Sequence, residues 1–210
     1  MLQKTRTLVL DLQYFPSVNW FKDSIHLNQF CFYPHAPFRK SGFQNRLLIP
    51  ASGKIVSLSI PLAGGRDVRS SYKAVEIDYQ QQWQRDHFRS IDTAFGSAPF
   101  YFQYRDELKK LYEFRHPLLY NWNLHCLGWL MEKIRLTLPI IEQDQKENNL
   151  TGLSLLEDKY KPSNYVNDEN GPFVKYTQVF EDRIGFHPNL SILDLLFNVG
   201  PQKTIFLLRN

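Results

Sequence analysis
The chain has 210 residues, of which 43% are hydrophobic and 22% charged, with a formal net charge of +4. That balance is too apolar for a disordered protein, and the length suits one folded core, so a single domain over residues 1–210 is expected. The positive charge is mild and no run of Lys or Arg exceeds two residues, which gives no nucleic-acid patch and is compatible with a small anionic partner.

Residues 7–12 read as a strand, ended by Tyr14-Phe15-Pro16 because Pro cannot continue a ladder. Ser17 then stands at an N-cap position before a short amphipathic segment with Trp20, Phe21 and Ile25. Further strands are expected at 29–33, 46–49, 55–60 and 74–77, the middle two joined by a Ser52-Gly53 turn and followed by the Gly64-Gly65 loop. Helical periodicity begins after Asp78, which forms an approximate capping box with Gln81. Trp83, His87, Ile91 and Ala94 share one face of that helix, and Gly96 and Pro99 break it. A second helix is predicted over 101–114, aligning Tyr104, Leu108 and Leu111. Pro117, at a first-turn position, starts a third helix through about residue 135, whose wide apolar stripe (Leu119, Trp122, Cys126, Trp129, Leu130, Ile134) marks a central core helix.

The segment 142–172 differs in kind. It is rich in Asp, Glu, Asn and Lys with few apolar anchors, which marks a lid, a binding loop or a disordered insert. Tyr160, Tyr165 and Phe173 argue that parts of it dock. Near the end, Ser191-x-x-Asp194 before Leu195-Leu196-Phe197 is a helix-capping signature, and Asn198, Gly200 and Pro201 supply a stop. Strands early and helices late leave α/β and α+β open. The opening strand–helix–strand unit favours a parallel pair through a right-handed crossover, hence an α/β fold: a mixed β-sheet with packed helices and a helical C-terminal half.

No stretch approaches the ~18 apolar residues of a membrane span, and the N-terminal apolar run is too short and interrupted for a signal peptide. Cys31 and Cys126 are far apart in apolar settings, so two buried free thiols in a reducing, cytoplasmic compartment are expected. No CxxC or His-rich cluster suggests a metal site, and nothing names a cofactor. Aromatic residues reach 15%, enough to build a tight core and to line a concave site.

Several motifs occur in an order that resembles the WbqC-like proteins, a bacterial family associated with surface-polysaccharide genes. They are Tyr14-Phe15-Pro16, then Lys40-Ser41-Gly42-Phe43-Gln44-Asn45-Arg46, then Ile77-Asp78-Tyr79 with Trp83 and His87. Ser97-Ala98-Pro99-Phe100-Tyr101 and the block 178–201 complete the set. The direct Gln13-Tyr14 junction resembles the family's shorter branch, since Pro usually follows that Gln in the longer one. The resemblance implies an accessory role in O-antigen or related glycan pathways, with an acyl- or aminoacyl-transferase activity on amino sugars suspected.

Candidate site residues follow from both lines. Tyr14 stands at the carboxyl end of the first strand, where open α/β sheets bind ligands; a strand-ending turn with two packed rings is the alternative. Lys40, Asn45 and Arg46 offer two cations and an amide for a carboxylate or phosphate, against a solvated surface loop; the resemblance favours binding at Asn45 and Arg46. His87 is the acid–base candidate, with a pKa tuned near neutrality by partial burial, or else a satisfied core histidine. Asp194 complements the dipole of its helix and is kept as a ligand candidate at that N-terminus, and Tyr160 as part of a closing lid. Cys126 beside His125 is a structural thiol, because adjacent helical residues do not face each other. Two functions stand open: a transferase-like enzyme on a small anionic or sugar-linked metabolite, and a non-catalytic subunit that docks a protein partner.

Overall fold
The computed structural model describes residues 8–65, 70–143, 154–155, 161–166 and 172–210. The chain opens with β1 (Leu8–Leu10), α1 (Val18–Ser24) and β2 (Phe30–Phe32). β1 and β2 run parallel, with Val9 opposite Cys31 and Leu10 opposite Phe32, so the opening unit makes the α/β crossover its sequence favours. α1 starts where Ser17 lets its side chain accept from the Trp20 amide at 3.4 Å. β3 (Arg46–Ala51) and β4 (Lys54–Ser59) form a separate antiparallel hairpin that turns at Ser52-Gly53, where Gly53 takes φ +89°. Then come α2 (Trp83–Phe95), α3 (Tyr101–Glu113) and α4 (Leu119–Lys133).

Two strands fall where the sequence shows little periodicity. β5 (Ile140–Glu142) pairs parallel with β2, and β6 (Ser154–Leu155) pairs parallel with β1, giving a four-stranded sheet in the order β5-β2-β1-β6. Both strands are very short and β5 is exposed along its length, so no apolar alternation betrays it. Of the segment 142–172, residues 144–153, 156–160 and 167–171 lie outside the described residues, and Tyr160 with them. Tyr165 docks through its carbonyl, which accepts from Asn189 Nδ2 at 2.9 Å. The chain ends with α5 (Glu181–Ile184) and α6 (Ile192–Arg209).

Three boundaries depart from the sequence pattern. Residues 74–77 form no strand: Tyr72–Ala74 is a 3₁₀ turn, and the flanking chain makes only single bridges, Leu62 to Ile77 and Glu76 to Leu118. α2 begins at Trp83 rather than after Asp78, because the Asp78 carboxylate closes onto the Gln80 amide at 2.8 Å in a local turn that competes with helix. Pro117 precedes α4 instead of opening it, since its carbonyl accepts from the Ile77 amide at 2.8 Å and holds the chain extended. α6 does stop where Asn198-Val199-Gly200-Pro201 predicts, with Gly200 at φ +76°, and Pro201 then opens a second helical run to Arg209.

The aromatic excess is spent on the core. Trp20, Trp122, Tyr14, Tyr101, Phe95 and Phe197 are among the fully buried side chains. Trp83 meets Trp122 edge-on at 5.3 Å, and Phe197 of α6 meets Phe95 and Tyr101, both at 5.2 Å. α4 is the central helix its stripe announces, with Leu119, Trp122, Cys126 and Leu130 wholly buried. Cys31 and Cys126 are both buried free thiols. Among the described residues, no helix is long and apolar enough to cross a membrane.

Candidate functional site
The loop that leaves β1 turns inward. Its Tyr14 amide donates to the Phe43 carbonyl at 3.0 Å, and Phe15 adopts a left-handed φ of +44°, which buries both rings. The Tyr14 hydroxyl then lies 3.1 Å from His87 Nδ1 and in a short hydrogen bond with the Tyr112 hydroxyl. α2 aims His87 into this pair because Trp83, His87 and Ile91 share its buried face. The Ser59 backbone favours the protonated imidazole.

Burial decides the charge state of this cluster. It drags the His87 pKa down to about 4, against smaller upward pulls from the Ser59 backbone and Asp86. The same burial pushes both Tyr14 and Tyr112 well above the usual phenol range. All three groups are therefore neutral around pH 7. The near-neutral pKa expected of His87 is not found, because its desolvation outweighs its partners. The group that orients the imidazole is the Tyr14 hydroxyl rather than a carboxylate.

Lys40, Asn45 and Arg46 meet elsewhere, at the open end of the β3–β4 hairpin. Arg46 is the first residue of β3, opposite Ser59, and its Nη2 donates to the Lys40 carbonyl at 2.7 Å. Asn45 locks the hairpin to the next turn: its carbonyl accepts from the Ile60 amide at 2.7 Å, and its Nδ2 donates to the Ile60 carbonyl at 3.0 Å. These three side chains line a cleft of about 580 Å³ whose opposite wall is the 61–65 turn with Asp78, Gln80 and Gln81. Gly64 and Gly65 take φ of +82° and +59°, a turn open only to residues without a Cβ penalty. Two polar atoms at the cleft wall, Asn45 Oδ1 and Arg46 Nε, have no hydrogen-bond partner among the described residues. Two cations, one carboxylate and three amides suit a small anion with further polar groups.

Asp194 belongs to neither group. Its carboxylate is fully buried and accepts from Tyr176 Oη and Gln178 Nε2, both at 2.6 Å, and from Asn198 Nδ2 at 3.1 Å. Burial raises its pKa to about 6, against the pull of those donors toward the ionised form. Ser191 caps α6 by accepting from the second helical amide, Leu193, at 3.4 Å, while the Asp194 amide bonds the Ser191 carbonyl. The Ser191 hydroxyl donates to the Phe15 carbonyl at 3.0 Å, which ties this helix start to the β1 loop. Sequence reading did not single out Tyr112, Tyr176 or Gln178. Tyr112 follows Leu108 by one helical turn, a signal that was available, whereas Tyr176 and Gln178 lie on an extended segment whose only hint is the alternation of buried Val174, Tyr176 and Gln178. Among the described residues, no group of three or more His, Cys, Asp or Glu side chains is placed to hold a metal ion.

The model of the WbqC-like protein family matches residues 13–172, about three quarters of the chain. The chain belongs to the WbqC-like protein family. The matched stretch carries Tyr14, Lys40, Asn45, Arg46 and His87, and it ends before Asp194 and the C-terminal block 178–201. An uncharacterized protein of Mycobacterium tuberculosis (strain ATCC 25618 / H37Rv), Rv1507c, is 20% identical over 225 residues, covering 96% of this chain and 97% of its own. No solved structure matches this WbqC-like chain at a significant level. Both the anion-suited cleft and the Tyr14–His87–Tyr112 cluster lie within its family stretch, and Ser59 stands opposite Arg46 in the hairpin register.

Proposed function
We propose that this WbqC-like chain binds a small anionic, sugar-linked metabolite in the cleft lined by Lys40, Asn45 and Arg46, and serves bacterial surface-polysaccharide assembly in the cytoplasm. The convergence of two cations and an amide on one cleft of about 580 Å³ carries the reading. The Arg46 guanidinium is held by the Lys40 carbonyl at 2.7 Å, so it is oriented before any ligand arrives. The polysaccharide context comes from the family resemblance alone. In an acyl- or aminoacyl-transferase, the proton acceptor would be His87, and the segment 142–172 with Tyr160 would be the lid. The test is a thermal-shift series with nucleotide sugars, acyl-CoAs and neutral sugars on wild type and Arg46→Ala. The expected result is a rise in Tm with acidic sugar-linked compounds that Arg46→Ala abolishes; equal shifts in both proteins would remove the cleft from consideration.

A specific observation favours the second reading, a non-catalytic binding or assembly subunit. His87 is buried, hydrogen-bonded to the Tyr14 hydroxyl and held neutral by a pKa lowered to about 4, and it does not line the cleft. Copurification of a stoichiometric protein partner together with unchanged pathway output from His87→Gln would support that role over transfer chemistry.

A further inference from the structure
The cleft has a neighbour. Across residues 78–82 lies a second groove of about 480 Å³ between α2 and the end of α3, and Gln81 lines both. The two hollows are therefore adjoining, separated by a ridge a few residues wide. Their chemistry differs. The first is lined by Lys40, Arg46 and Asp78, whereas the second is lined by the rings of Tyr79 and Phe88 together with Arg85, Lys109, Arg115 and one carboxylate, Glu113.

The Tyr79 ring is held in place. The Tyr79 hydroxyl donates to the His116 carbonyl at 2.8 Å and accepts from the His116 amide at 3.0 Å, which fixes the plane of the ring. The Arg115 guanidinium sits 5.3 Å from its centroid. The Arg105 guanidinium sits 5.8 Å from the centroid of Phe88, and Arg105 does not line the groove. Two aromatic rings beside three cations and one carboxylate, a net positive setting, suit a flat aromatic group that carries or adjoins negative charge.

We propose that the groove at Tyr79 and Phe88 is the ring subsite for the same ligand whose anionic group occupies the Lys40–Arg46 cleft, and that this ligand is a nucleotide of the nucleoside 5′-diphosphate class. The proposal rests on the anion-cleft reading above and adds the aromatic half of the ligand. A nucleoside diphosphate has its ring at one end and its charge at the other, which matches an aromatic groove and a cationic cleft on two sides of one ridge.

Calorimetric titration of the full chain with uridine 5′-diphosphate and with pyrophosphate, the same anion without the nucleoside, tests it. The nucleotide should bind about tenfold more tightly or better, the scale of one base–aromatic stack. Phe88→Ala should erase that advantage and Lys109→Ala reduce it, both with pyrophosphate affinity unchanged, while Arg46→Ala weakens both ligands. Lys109 is exposed, so its variant keeps the test available if Phe88→Ala fails to fold. Equal affinities for the two ligands in wild type would overturn the ring subsite and leave the anion cleft standing. Binding of neither ligand would overturn both.

Discussion

His87 and Asp194 are buried ionisable groups with opposite consequences for stability. His87 holds a folded pKa of about 4 against an ordinary 6.5, so the unfolded chain binds the extra proton between those values. Stability from this residue is present above pH 6.5 and is lost as pH falls toward 4, by about 3 kcal/mol. Asp194 runs the other way. Its folded pKa of about 6 exceeds the ordinary 3.8, so the folded chain keeps the extra proton, and the stability this gives is present below 3.8 and lost as pH rises through 6, again by about 3 kcal/mol. Between pH 4 and 6 the two largely cancel. Urea unfolding across that range should therefore show a steeper acid loss in Asp194→Asn, where His87 acts alone, and a gain on acidification in His87→Gln. Parallel profiles in wild type and both variants would contradict the burial that sets these pKa values.

At the scale of elements, α6 depends on two backbone devices. Gly200 sits at φ +76°, and a Cβ there would stand 2.5 Å from Phe100 Cε1, so the kink and the Phe100 ring occupy the space together. Gly200→Ala should destabilise the fold by about 2–4 kcal/mol in chemical denaturation, combining a left-handed penalty with overpacking. Ser191→Ala removes both a cap to Leu193 and a buried bond to the Phe15 carbonyl, and should cost about 1–2 kcal/mol with the site residues untouched. Helices with a strong apolar face were legible from spacing: α2, α3 and α4 lie where Trp83, Tyr104 and Trp122 set the period. What escaped is physical in each case. β5 and β6 are too short to show alternation, the 72–77 stretch takes its bonds from separate loops, and Asp78 spends its carboxylate on a local turn. The start of α4 shifted because a tertiary bond to Ile77 claims the Pro117 carbonyl.

For the whole molecule, the parallel sheet and the β3–β4 hairpin divide the labour. The sheet and its helices bury the Tyr14–His87–Tyr112 cluster, while the hairpin's open end presents Lys40, Asn45 and Arg46 to the cleft. The residue types of the candidate site were readable from the chain, and Lys40, Asn45 and Arg46 lie together because they are close in sequence. Their separation from His87 and Asp194 was not readable, since it depends on which face of the hairpin packs on α2 and on Tyr176 and Gln178 arriving from an extended segment. The most direct measurement is an amide chemical-shift titration of the isotope-labelled chain with pyrophosphate. The account predicts saturable shifts concentrated at Lys40, Asn45, Arg46, Gly64 and Gly65, and their loss in Arg46→Ala. Saturable shifts centred on Asp194 and Tyr176, or none anywhere, would contradict the cleft as the binding site.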